Sequence, residues 1–269
     1  MAALQANGIT IEYDEQGSGE PLLLVMGLGG QLIDWPQPLV DEIVARGFRV
    51  VRFDNRDAGL SSLMPGPAPT KRELAKAALF RRASHSAYLV RDMARDAVGL
   101  LDALGIDSAH VVGISMGGMI AQTMAIEHPE RVRSLASIMS TTGSRRVGQP
   151  KAGVVINAIR RPVPVPENAV DLGVEVFGEV CGPTFDPAEF RRIAEAAVAR
   201  SYRPAGTARQ TIAIMASGDR TEALRHLRVP TLVIHGLLDP LVKPSGGVAT
   251  ARAIRGSRLV MFNDMAHDL

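Results

Sequence analysis

The chain of 269 residues reads as an α/β protein, with a mostly parallel central sheet flanked by helices. Three observations lead there. Short, β-branched apolar runs alternate with stretches of helical periodicity, the rhythm of βα units. One of those runs passes into a helical pattern through Gly113-Ile114-Ser115-Met116-Gly117. The rhythm then breaks once, between Gly143 and about Leu227, where helical patterns follow one another.

Taken in order, Ile9 to Tyr13 alternates like an early antiparallel strand and meets a turn at Gly17-Ser18-Gly19. A strand over Leu22–Val25 precedes an amphipathic helix containing Leu39, Val40, Ile43 and Val44. Arg49 to Phe53 is the next strand. Three prolines (Pro65, Pro67, Pro69) then lead into an Ala-rich stretch from Lys71 to Arg82, a short extra helix near the site entrance that could serve as a lid or a partner contact. A long helix runs roughly from Tyr88 to Leu104 and stops at Gly105. Ala109–Ile114 is a buried strand; Met119, Ile120, Thr123, Met124 and Ile126 mark the helix after it, which ends at His128-Pro129. Arg133–Met139 is a further strand. In the irregular region, Arg160 to Pro166 is a stiff proline-rich connector, while Glu189–Arg200 and Thr207–Ala216 are helices. Val229–Gly236 and Arg258–Phe262 return to strand.

Ser115 sits on the sharp turn between its strand and helix. That turn exposes Oγ, aims the following amide, Met116, at a developing oxyanion, and sets a helix N-terminus beneath both. Glycines at both flanks fit a turn too tight for side chains. A serine nucleophile needs a base, and the base needs an orienting acid. Asp239, just past the Val229–Gly236 strand, and His267, just past Arg258–Phe262, follow in the order serine, acid, histidine. Both lie at strand C-terminal ends, the edge where sites of open α/β sheets collect. The strand after the elbow ends in Ser140-Thr141-Thr142-Gly143-Ser144 and offers no carboxylate, and Asp264 precedes His267 by only three residues. Among the other histidines, His128 is expected to cap a helix end; His85, His110 and His226 read as structural or solvated, and His235 as a packing or loop-shaping residue.

Pro21–Gly27, Asp54-Asn55-Arg56-Asp57-Ala58-Gly59-Leu60-Ser61, the elbow with its Met-Gly-Gly-Met continuation, and Val229–Asp239 resemble the α/β-hydrolase fold superfamily. The likeness extends over essentially the whole chain, and is closest to aclacinomycin methylesterase-like hydrolases and actinobacterial esterases and lipases. It implies an oxyanion hole formed by the Leu28 and Met116 amides. Asp54–Ser61 resembles the D-x-R-G-x-G-x-S loop of that family, with Asp57 in place of glycine; its expected role is bracing loops beneath the site. The irregular region resembles the helical cap of the superfamily, giving a core of residues 1–142 and 228–269 and a cap insertion at 143–227. Gly27, Phe177 and Met215 are candidate substrate contacts, although Phe177 and Met215, like Val180 and Ile212, are at spacings that more often pack a cap. Family members usually continue past the histidine into a final helix. The sequence stops at Asp268-Leu269, either trimmed or without that helix; where the helix is lacking, a less buttressed His267 loop and an exposed apolar flank of the sheet are expected.

The apolar content of 46% and charged content of 22% are ordinary for a globular domain. A net charge of +2 points neither to nucleic acid nor to a membrane surface, and no apolar run reaches spanning length. The single cysteine, Cys181, permits no intrachain disulfide, and the N-terminus lacks a signal-peptide pattern; a cytoplasmic enzyme is expected. No ligand-spaced His/Cys/Asp cluster and no G-x-G-x-x-G signature is present, so neither metal nor organic cofactor is expected. The resulting expectation is a serine hydrolase acting on a small-molecule carboxylic ester, with a homodimer compatible. The same triad also serves C–C bond hydrolases, lactonases, thioesterases and cofactor-free perhydrolases, and the fold also serves ligand receptors.

Overall fold

The computed structural model describes residues 1–80, 86–162 and 165–268, with an eight-stranded sheet in the order β1-β2-β4-β3-β5-β6-β7-β8. The strands are β1 (Ala2–Ala6), β2 (Ile9–Gln16), β3 (Glu20–Val25), β4 (Phe48–Phe53), β5 (Ala109–Ile114), β6 (Val132–Ile138), β7 (Thr231–Gly236) and β8 (Arg258–Phe262). β1 and β2 are antiparallel to each other and β2 to β4; from β4 to β8 every pairing is parallel. The β1–β2 hairpin turns at Asn7-Gly8, both with positive φ, as a two-residue turn matched to strand twist requires.

Strand β3 is followed in sequence by its neighbour β4 on one side and in space by β5 on the other. The order reverses there, and in open α/β sheets sites collect past the carboxyl ends of the strands at such a point. Alternation along β3 sends Leu23 and Val25 into one core and Leu22 and Leu24 into another. The first core meets α3 (Val90–Ala103) and α4 (Met116–Glu127) through Met93, Leu100, Leu101, Ile120 and Met124; the second meets α1 (Gln37–Ala45) through Val40, with Trp35 beside it. Helix α4 is buried almost all round, which explains why its apolar residues show so little sidedness.

Between β6 and β7 lie α5 (Ala152–Arg160), α6 (Ala169–Val180), α7 (Pro187–Arg200), α8 (Pro204–Ser217) and α9 (Thr221–Arg225); α10 (Ser245–Ala253) joins β7 to β8. The extra helix is α2 (Lys71–Phe80), packed against α8 and tied to Arg161 O through Lys71 Nζ at 3.4 Å. His85, the end of that expected helix and the middle of the proline connector fall outside the described residues. On the edge strand β8, Leu259, Val260 and Phe262 are 38%, 38% and 45% exposed. No helix among the described residues is long and apolar enough to cross a membrane.

Candidate active site

Strand register assembles the site. Val25 pairs with Gly113, so the chain leaving β3 through Met26 and Gly27 runs beside Ile114 and Ser115. A Cβ added to Gly27 would sit 3.4 Å from Ser115 Cβ and 4.0 Å from its Oγ. At the elbow, Ser115 has φ 54° and ψ −116°, a strained backbone for a residue with a side chain. Hydrogen bonds hold it there: Ser115 N donates to Ile138 O at 2.8 Å, and Ser140 Oγ donates to Ser115 O at 2.8 Å. A Cβ on Gly117 would run into the Val25 carbonyl and one on Gly113 into the Gly117 carbonyl, so the turn closes only with glycine at both positions. Met116 opens α4, and its amide is one of the first-turn donors that no helix carbonyl satisfies.

The structure brings Ser115, His267 and Asp239 together. His267 Nε2 lies 3.0 Å from Ser115 Oγ, and His267 Nδ1 lies 2.7 Å from Asp239 Oδ2. Asp239 is buried, and its Oδ1 accepts from the Leu241 and Val242 amides at 2.9 and 2.8 Å. Burial opposes ionisation of this carboxyl, but hydrogen bonds from His235 and His267, with the Val242 amide, outweigh it and hold it below its ordinary value. His235 is fully buried; its Nε2 donates to Val242 O at 2.7 Å and lies 3.5 Å from Asp239 Oδ2. It shapes the Asp239 loop, as its strand-end position suggests.

The His267 loop is buttressed from the segment between β6 and β7. His267 N donates to Val180 O at 2.9 Å, and Asp268 accepts from Gly182 N at 3.0 Å and Ala266 N at 2.9 Å. The weak support expected from the sequence is therefore corrected by the end of α6. Leu238 and Pro240, on either side of Asp239, border an open groove of about 420 Å³ shared with Lys151, Val154, Asn157 and Cys181. Burial pushes the Cys181 thiol up to about 12, with Asp268 and Asp239 adding to it, so this cysteine stays protonated and unreactive near neutrality.

The Asp54–Ser61 loop braces its surroundings as expected. Asp54 accepts from Leu32 N at 2.7 Å and Leu60 N at 2.8 Å, and Asn55 Nδ2 donates to Met26 O at 3.0 Å. Sequence reasoning did not anticipate how far this bracing extends into α7 and α8. Arg200 reaches Asp54 at 2.7 Å, and Arg209 grips Asp57 in a bidentate pair at 2.7 and 2.8 Å. Nothing in an amphipathic helix marks one arginine for such a contact. Of the candidate substrate contacts, Gly27 borders Ser115, Met215 is part-buried on α8, and Phe177 stacks on Phe190 of α7 with centroids 4.2 Å apart. The Phe177 ring thus joins α6 to α7, the packing role favoured by its spacing.

Asp34, which caps the turn after the loop leaving β3, carries a separate consequence. Burial pushes its carboxyl up to about 6 against the lowering from the Gln31 amide, and nearby Asp54 raises it further. A folded value above the unfolded one means the native state holds the extra proton between about pH 4 and 6, so stability falls across that window as pH rises. Asp34→Asn should therefore gain stability relative to wild type from about pH 4 to 6 and hold a constant gain above. Urea unfolding at several pH values measures it; a gain independent of pH would exclude Asp34 as the source.

Residues 20–269 match the family model for the alpha/beta hydrolase fold. The chain belongs to that family. Rhodomycin D methylesterase DnrP of Streptomyces peucetius is 28% identical to this alpha/beta hydrolase over 276 aligned residues, covering 93% of this chain and 85% of that one. The enol-lactonase of Burkholderia xenovorans LB400 superposes with TM-score 0.74 at 25% identity, covering 99% of this chain and 92% of that one. A thermophilic esterase from Thermogutta terrifontis shares the fold at TM-score 0.74 and 24% identity, covering 99% and 92%. Among the described residues of this alpha/beta hydrolase, no three His, Cys, Asp or Glu side chains are grouped so as to hold a metal ion.

Proposed function

We propose that the chain is a serine hydrolase that cleaves a carboxylic ester through an acyl-enzyme, with Ser115 as nucleophile, His267 as base and Asp239 as the orienting acid. The continuous relay from Ser115 Oγ to His267 at 3.0 Å and on to Asp239 at 2.7 Å carries this reading. Neutral His267 accepts the Ser115 proton at Nε2 as Oγ bonds to the ester carbonyl carbon. Nδ1–H donates to Asp239 Oδ2, which fixes the tautomer and stabilises the imidazolium. The carbonyl oxygen takes up the negative charge and meets the Leu28 and Met116 amides, a stabilisation of about 2.7–4 kcal/mol for each donor. Collapse breaks the ester C–O bond, and His267 returns the proton to the departing alkoxide. Water, deprotonated by the same imidazole, then attacks the acyl-enzyme and releases the acid.

The likeness to rhodomycin D methylesterases over most of both chains makes methyl esters the first substrates to try. A panel of methyl and p-nitrophenyl esters of graded acyl length, with lactone and thioester arms, tests the class. Stoichiometric labelling by a fluorophosphonate, mapped to Ser115, tests the nucleophile whatever the substrate. Labelling without turnover of any ester in the panel would set aside esterase activity while keeping an activated serine; no labelling would set aside the mechanism itself.

A further inference from the structure

The oxyanion loop makes a contact outside the sheet core that the proposed chemistry does not use. Gln210 on α8 is fully buried, and its side-chain amide bridges two backbones: Oε1 accepts from Gly29 N at 2.8 Å, and Nε2 donates to Arg56 O at 2.8 Å. The partners fix which end of the amide is which, because Gly29 N can only donate and Arg56 O can only accept. The helix carrying Gln210 is itself anchored. One residue earlier, Arg209 makes its bidentate pair with buried Asp57, which also accepts from Tyr88 Oη at 2.8 Å and Met64 N at 2.9 Å. Asp57 holds this position at φ 68°, a left-handed backbone that a residue with a side chain occupies at a cost. Three residues before Gln210, Thr207 packs over Gly29, whose own φ is 70°. Helix α8 is therefore fastened to the core at the point where it touches the loop.

We infer that Gln210 is a positioning residue for the oxyanion hole, setting the Leu28–Gly29 peptide from α8. The inference rests on the assignment of the Leu28 amide as an oxyanion donor. Two peptides flank the Leu28 Cα: the one before it carries the Leu28 amide, and the one after it carries the Gly29 amide that Gln210 holds. Fixing the second limits rotation of the first. The turn around Leu28 and Gly29 is closed by Gly30 N donating to Gly27 O at 3.3 Å, and Gln210 adds an external acceptor for the Gly29 amide itself, at a residue with the backbone freedom to swing. An oxyanion hole works through donors already in place before charge develops, so loosening one should lower the rate of the chemical step more than substrate binding.

The test uses Gln210→Met, which has similar length and offers neither hydrogen bond of the amide. Measurements are kcat and KM for the best ester of the panel, the rate of Ser115 labelling by a fluorophosphonate, and the thermal midpoint. Gln210→Met should lower kcat by about 10²-fold, within the range for losing one oxyanion donor, with KM within about twofold of wild type. Labelling should slow in parallel, since phosphonylation also places an oxygen in the hole. A Gln210→Met protein that melts earlier yet keeps kcat and labelling rate within twofold would overturn the inference, leaving Gln210 a structural residue. If wild type is not labelled at Ser115, the underlying assignment fails and this inference with it; labelled wild type with an unaffected Gln210→Met refutes this inference alone.

Discussion

Ser115→Ala should remove ester turnover by on the order of 10⁶-fold while leaving the protein folded, because nucleophile and base act as a unit and loss of either forfeits nearly all of their joint contribution. The backbone of the elbow should persist in the variant, since the strained φ of 54° is maintained by hydrogen bonds to Ser115 backbone atoms that the substitution leaves in place. The measurement is kcat/KM against the best ester of the panel, alongside circular dichroism and fluorophosphonate labelling. A folded Ser115→Ala protein with near-normal turnover would remove Ser115 from the mechanism.

The second large effect is expected at Asp239→Asn, with a loss of roughly 10⁴-fold. The turn around the acid explains why the amide would be damaging. Asp239 Oδ1 accepts from the Leu241 and Val242 amides, so the single oxygen of an asparagine is drawn to those two donors. Its NH₂ group must then face His267 Nδ1, which becomes the acceptor, and the ring proton moves to Nε2, where the nucleophile needs a lone pair. The structure should change little. Asp264→Asn should be far milder, because it is Asp239 that meets His267 at 2.7 Å. The reverse ranking in kcat would transfer the role of orienting acid to Asp264.

The parallel sheet and the proposed triad were legible because both are written locally. A buried parallel strand is a continuous apolar run, and each proposed triad residue lies just beyond one, so finding β5, β7 and β8 also located Ser115, Asp239 and His267. Elements whose local chemistry contradicts their structure were not found. Helix α5 contains Val154-Val155-Ile156 and helix α6 contains Val174-Glu175-Val176, β-branched stretches that favour strand until packing overrides them. Helix α10 opens Ser-Gly-Gly, a sequence that reads as loop. Strand β1 was missed despite a usable signal: Asn7-Gly8 followed by Ile9 marks a two-residue hairpin, which requires a partner strand before it. Gln210 could not have been found by pattern at all. A glutamine in a helix is ordinary in sequence, and its importance comes from the backbone 181 residues away that it holds.

The attachment of the His267 loop to Val180 and Gly182, together with the contact of α8 with Asp57, limits how this protein can be re-engineered. Replacing the whole stretch between β6 and β7 with one from a relative would discard supports for the His267 loop and for the loop after β3. A transplant that ends before Val180 and leaves α8 native confines the change to residues without those duties. Recombination across such alpha/beta hydrolases should therefore yield active chimeras when its crossover points fall inside those limits, and folded but slow ones when they fall outside.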